Sequence, residues 1–213
     1  MTRDYYREEK VVNTYYIGGS PCTGKSTVAE ILSKKYNLHY FKVDDFLDSY
    51  TQLGVLKGWP ICKKITKSSA EQIWMRDPMI QCVEEFEWYR EVFEFVTADL
   101  KQLDCKNGVI TEGVAYVPKL IKQLGVPKSR YISITPTPEF QVSHYRKREY
   151  VPYVLENCSD REKAFNNWMD RDILFAKEVQ KQCLEEGYNS VTNDGNISID
   201  ELTEIVSVHF GIN

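Results

Sequence analysis

No two of the six cysteines, at 22, 62, 82, 105, 158 and 183, stand in a Cys-x-x-Cys pair, and the three histidines supply no zinc-like partner spacing. That excludes a zinc ribbon or finger and leaves reduced thiols in a cytoplasmic protein, some of them simply small core residues. The opening MTRDYYREEK is too charged to read as a signal peptide. Nowhere does an apolar run approach membrane-spanning length. Repeats, low-complexity stretches and linkers are also missing. So is any excess of positive charge: 27 Lys plus Arg face 31 Asp plus Glu, a net charge of -4. Bulk charge therefore points to neither a nucleic acid nor a membrane as partner. What remains is an ordinary globular composition, 42% hydrophobic and 27% charged over 213 residues. Such a chain holds one domain with a real core and is not a coiled coil, a collagen or a disordered segment. Aromatics are plentiful, with 14 tyrosines and 4 tryptophans, enough to line a cavity or a thick core.

Short β-branched runs alternate with longer amphipathic ones. Strands are expected over 11–17, 38–43, 108–111, 129–135 (stopped by Pro136) and 188–192, with helices over 25–36, 138–150 and 198–210. Two long helices stand out. Residues 78–103 carry Cys82, Phe86, Tyr89, Phe93, Val96 and Leu100 on one stripe; residues 160–186 carry Phe165, Trp168, Met169, Ala176, Val179 and Cys183. Residues 50–65 have no clean period and read as a loop or short-helix region over the site. Strands separated by helices imply parallel βαβ crossovers and an α/β fold with helices on both faces of the sheet.

Gly19-Ser20-Pro21-Cys22-Thr23-Gly24-Lys25-Ser26 fits GxxxxGK(S/T) without a gap, between an apolar strand and a helix-forming run. Glycines let backbone N–H groups turn inward around phosphate oxygens, and the helix N-terminus adds partial positive charge. Lys25 is expected to reach the β- and γ-phosphates of a nucleotide and Ser26 to put a hydroxyl on Mg²⁺, with Thr27 beside it. The competing reading is an ordinary Gly-rich strand-to-helix turn.

With GGSPCTGKST the chain resembles the small P-loop kinases of the nucleoside-monophosphate-kinase-like group, over nearly its whole length. Its loop is closer to those of uridine, nicotinamide-riboside and gluconate kinases than to adenylate kinase, whose loop usually ends GKGT. The resemblance implies a three-layer fold with a five-stranded parallel sheet in the order 2-3-1-4-5. It also implies ATP, Mg²⁺ and a small-molecule phosphate acceptor: a nucleoside, a nucleotide or a sugar acid. One domain over 1–213 would carry an acceptor-binding excursion near 50–104 and a lid near 138–172. Oligomeric state stays open.

Ligands of open α/β sheets bind beyond the carboxyl ends of the strands. Asp44 and Asp45, in VDDF, fall there and resemble the acidic pair of nucleoside kinases. One is expected to accept the acceptor's proton or hold its hydroxyl, and the other to order water on Mg²⁺. Helix capping by Asp45 is the alternative. Glu112, in ITEG, is a candidate base, metal-side carboxylate or substrate ligand, and Gly113 lets backbone pass close to the acceptor. The basic run ending in Arg146-Lys147-Arg148 lies where the family carries its lid; a solvated helix end would look the same. Arg171, in WMDRD, falls at the flank of its helix stripe and is a candidate catalytic arginine, with Asp172 inside the stripe either ordering an arginine in the site or making a structural pair. Arg76 and Arg90 are candidates for holding an anionic acceptor, or surface ion pairs. Asn193, Asp194 and Gly195 suit either a loop over the adenine base or a plain turn. Trp59, Trp74 and Tyr116 are candidate rings around the acceptor, or core. The rival function is a nucleotide-dependent switch without an acceptor; against it, no NKxD base motif is present.

Overall fold

Strand β1 (Thr14–Gly19) lies at the centre of the sheet, paired in parallel with β3 (Val109–Glu112) on one side and β4 (Tyr131–Pro136) on the other. The outer strands are β2 (His39–Lys42) beside β3 and β5 (Asn189–Asn193) beside β4. The order is thus 2-3-1-4-5, all parallel, in a computed structural model that describes residues 13–212. Val11 and Val12, expected in the first strand, lie outside the described residues. The order was not readable from the chain, because strand pairing is set by which crossover helix covers which face.

The helices follow as α1 (Lys25–Tyr36), α2 (Leu47–Lys57), α3 (Pro60–Lys67), α4 (Ala70–Trp74), α5 (Pro78–Gln102), α6 (Pro118–Gln123), α7 (Pro138–Tyr145), α8 (Val151–Val154), α9 (Arg161–Glu186) and α10 (Ile199–Phe210). Side chains alternate across the sheet, so each strand feeds two cores. Tyr15, Ile17, Ile110, Ile132 and Ile134 pack on Val28 and Leu32 of α1 and on Leu202, Val206 and Phe210 of α10. On the other face Phe41, Val109 and Tyr131 meet α2, α5, α6 and α9 through Tyr50, Val92, Val96, Ile121 and Phe175. Every residue of β3 and β4 is buried, as expected of strands covered on both sides. A third, smaller core gathers Tyr145, Val151, Leu155, Phe165, Trp168 and Met169.

Several expected boundaries move. Ser129 and Arg130 form a 3₁₀ turn before β4, and Pro136 ends that strand from within instead of stopping it. Glu112 is the last residue of β3 and Asn193 the last of β5; neither follows its strand. The helix expected over 138–150 ends at Tyr145, where the i→i−3 bonds of Lys147 and Arg148 tighten the chain into a turn. The aperiodic 50–65 region is helical, divided between α2 and α3. Its α3 has no cap of its own: Glu91 of α5 accepts from Ile61 N (3.1 Å) and Cys62 N (2.9 Å). A cap supplied across the fold has no local sequence pattern to betray it.

Candidate active site

The phosphate loop runs from β1 into α1. A side chain at Gly19 (φ +113°) would put its Cβ 1.9 Å from Ile134 O of β4, so only glycine lets the loop leave the sheet here. Ser20 N then donates to Ile134 O (3.1 Å), and Cys22 takes a left-handed φ of 60°. Gly24, the N-cap of α1, offers no side chain to the helix's first N–H groups. Ser20, Thr23 and Lys25 are buried, and Lys25 Nζ turns inward to donate to Ser20 O (2.5 Å). Pro21 and Ser26 are half-buried, and Thr27 is exposed. Asn193 binds the loop from β5, donating through Nδ2 to Thr23 O (3.2 Å) while Oδ1 accepts from Gly195 N (2.8 Å). Asp194 faces solvent and accepts from Asn196, and the Gly195 backbone abuts the Phe140 ring.

Glu112 is fully buried beside this loop. Its Oε1 accepts from Ser26 Oγ (3.0 Å) and from Tyr40 OH (3.0 Å), and its Oε2 has no hydrogen-bond partner. Tyr40 was not foreseen; a tyrosine on an edge strand carries no motif. Burial, helped by Glu112, keeps its hydroxyl protonated and therefore donating. Asp44 lies in the 3₁₀ turn after β2 and accepts from Val114 N through Oδ1 (3.1 Å). A Cβ on Gly113 would stand 2.8 Å from Val43 Cβ and 3.1 Å from that oxygen, so this glycine admits Asp44 to its position. Burial raises the Asp44 pKa, Lys25 nearby lowers it and Glu112 raises it again, with a net upward shift. Asp45 behaves differently: its side chain is exposed and paired with Lys42 (3.0 Å). It caps nothing, since the N-cap of α2 is Phe46 and the cap has no side-chain bond.

Beyond Asp44 lies a buried cluster. Arg171 Nε donates to Asp172 Oδ1 (2.7 Å), Nη2 forms an ion pair with the same oxygen (2.5 Å), and Nε stands 3.3 Å from Glu85 Oε2. Tyr89 donates to Glu85 Oε1 (2.8 Å), and the Arg171 guanidinium lies 5.1 Å over Trp74. Burial pushes Glu85 up to about 7 against the pull of Arg171, and raises Asp172 likewise. Asp172 was expected in the core stripe and is there; Glu85 and Tyr89, one turn apart on α5, were missed as a pair.

The two arginines expected on a lid part company. Arg146 is exposed, pairs with Glu162 (2.6 Å) and covers Phe165. Arg148 instead points at the loop, with Nη2 3.9 Å from Cys22 Sγ. Arg76 pairs with Glu84 (2.6 Å) and Arg90 with Glu87, both as ion pairs within the excursion. Trp59 packs on Phe95, Trp74 stacks on Trp168, and Tyr116 is wholly buried with its OH on Thr111 (2.6 Å). Tyr116 is core.

The residues present fit a nucleotide phosphate chain and Mg²⁺. The loop leaves backbone donors uncapped around Lys25, and the hard oxygens of Ser26 and the unpartnered Glu112 carboxylate suit a magnesium ion and its waters. Among the described residues no three His, Cys, Asp or Glu side chains converge as a metal cage, and no helix is long and apolar enough to cross a membrane.

No family model matches the chain, and no curated protein does. Solved structures that resemble it include shikimate kinase from Acinetobacter baumannii in complex with shikimate, at 14% identity and a TM-score of 0.45 over 94% of each chain. Deoxyadenosine kinase from M. mycoides with dCMP and dCDP gives 15% and 0.45 over 93% of this chain and 98% of that one. An uncharacterized protein from Eubacterium ventriosum gives 13% and 0.44, over 94% and 99%. The reading that follows rests on the site's own residues.

Proposed function

We propose that the protein is an ATP- and magnesium-dependent kinase that phosphorylates a small molecule. The observation that carries this reading is a second carboxylate, the half-buried Asp44, near a complete phosphate loop whose Ser26 is already bonded to Glu112. The loop's N–H groups and Lys25 hold the phosphates of the donor. When bound, Mg²⁺ neutralises charge on the transferring group. Ser26 would hold it through its hydroxyl, which Glu112, fixed by Tyr40, orients. Asp44 takes the proton of the acceptor hydroxyl as its oxygen bonds to the γ-phosphorus and the bond to the leaving ADP breaks. A carboxylate with a raised pKa suits a base, and Glu112, already accepting two hydroxyls, is the less available of the two. Arg148 approaches the loop from the lid side and is placed to offset charge as transfer proceeds. The Asn193–Gly195 loop is where the base of the nucleotide would pass.

An ADP-release assay against nucleosides, nucleotides and sugar acids tests the reading. Turnover should rise with one acceptor class. Turnover that no metabolite raises, but a protein partner does, would favour the switch alternative.

A further inference from the structure

The phosphate loop stands on two feet. At the first, Ser20 N donates to Ile134 O of β4 (3.1 Å); at the second, Thr23 O accepts from Asn193 Nδ2 at the end of β5 (3.2 Å). Between them the loop closes on itself, with Thr23 Oγ1 (3.1 Å) and Lys25 Nζ (2.5 Å) both donating to Ser20 O. The first turn of α10 covers the second foot: a Cβ on Gly24 would stand 3.3 Å from Ile199 Cδ1 and 3.5 Å from Leu202 Cδ2.

Asn193 is buried, and its side chain is used at both ends. Nδ2 holds Thr23 O, Oδ1 accepts from Gly195 N (2.8 Å), and the main-chain oxygen accepts from Thr137 N (3.0 Å). The amide has one workable orientation. Turned round, it would set Oδ1 against the Thr23 carbonyl and its NH₂ group against Gly195 N–H. A peptide group is planar and trans, so its N–H points opposite to its C=O. Holding Thr23 O toward β5 therefore aims Gly24 N–H away from β5, at the head of α1, where no side chain caps the first N–H groups. Because Oδ1 is committed to Gly195 N, the same side chain ties this peptide to the turn over which the nucleotide base would pass.

We propose that Asn193 is a positioning residue for phosphate binding, which acts through Thr23 by fixing the Thr23–Gly24 peptide plane and joins that setting to the 193–195 turn. The proposal rests on the kinase reading for the ligand's identity, but it can be measured by binding alone.

Calorimetry in the presence of Mg²⁺ would compare tripolyphosphate, which carries no base, with β,γ-methylene-ATP on the wild type, Asn193→Asp and Asn193→Ala, each well below its unfolding midpoint. Asn193→Asp keeps the oxygen that receives Gly195 N–H and loses the donor to Thr23 O. Both ligands should weaken by a similar factor of about ten, which is what one lost hydrogen bond in a charged site is worth. That deficit, relative to the wild type at the same pH, should shrink as pH falls, because a protonated carboxyl at this position again offers Thr23 O a donor. A loss through general loosening of the loop would show no such recovery. Asn193→Ala removes both bonds without burying a charge, so tripolyphosphate should weaken and β,γ-methylene-ATP should weaken more. Wild-type affinity for tripolyphosphate in both variants, or a deficit in Asn193→Asp that acid does not relieve, overturns the assignment. Equal losses of the two ligands in Asn193→Ala overturn the link to the 193–195 turn. If the wild type binds neither ligand, the phosphate-loop reading fails and this role with it. If the variants behave as stated and no metabolite is phosphorylated, the positioning role stands and the kinase reading fails.

Discussion

Lys25 is buried with its ammonium folded onto Ser20 O, so truncation to alanine would leave a gap in the loop as well as remove the charge. Methionine keeps the length, and Lys25→Met should abolish phosphoryl transfer by orders of magnitude while thermal unfolding moves little; wild-type turnover would contradict the assignment. The neighbouring aspartates separate just as cleanly. Asp44 is half-buried and held on Val114 N, whereas Asp45 is an exposed partner of Lys42. Asp44→Asn should lose most activity, and Asp45→Asn should keep nearly all of it. Because a base works only when deprotonated and burial raises the Asp44 pKa, kcat/KM should fall as pH drops through a value higher than that of an ordinary aspartate. That acid limb should vanish from the residual activity of Asp44→Asn. An unchanged pH profile in the variant would assign the limb to another group. These roles were half legible: VDDF marks two carboxylates at a strand end, but alternation along the backbone does not say which one the 3₁₀ turn will direct onto Val114 N.

At the scale of elements, the segment expected to form a lid carries one arginine held on the surface and one aimed at the loop. The turn after Tyr145 does this, by ending α7 before Arg146 and swinging Arg148 toward Cys22. Arg148→Ala should therefore lower kcat about tenfold or more with little change in ATP binding, since removal of one charge-stabilising donor commonly costs more than that. Arg146→Ala should leave kcat within about twofold, an exposed pair of this kind being worth little. Equal losses in both would return Arg146 to the site. The excursion depends on Glu91 in a comparable way. Glu91→Ala removes the carboxylate that caps α3 from α5, and chemical denaturation should show a loss of about 1–2 kcal/mol. No loss would mean that α2 and α3 are held by their apolar contacts alone. Periodicity found α5 and α9 but not α3, because the interaction that starts α3 comes from 30 residues away.

Across the whole molecule, the chain announces its class through local patterns and hides its assembly in distant ones. The phosphate loop, the strands and the long amphipathic helices can be read locally, since hydrophobic period and glycine placement are local quantities. Tyr40 on Glu112, the Glu85–Arg171–Asp172 cluster and the 2-3-1-4-5 order each join residues far apart in sequence. Only Asp172, a carboxylate inside an apolar stripe, hinted at one of them. The fold brings the ends of β1, β2 and β3 to one edge, so that the loop, Asp44 and Glu112 meet there. The central claim is that this edge transfers a phosphoryl group to a small molecule. The most direct test is to incubate the protein with γ-³²P-labelled ATP, Mg²⁺ and a pool of uncharged and anionic metabolites, and to follow where the label goes. Label on a metabolite with the wild type, and on none with Lys25→Met, is the predicted result; label released only as inorganic phosphate, at a rate no metabolite changes, would contradict it.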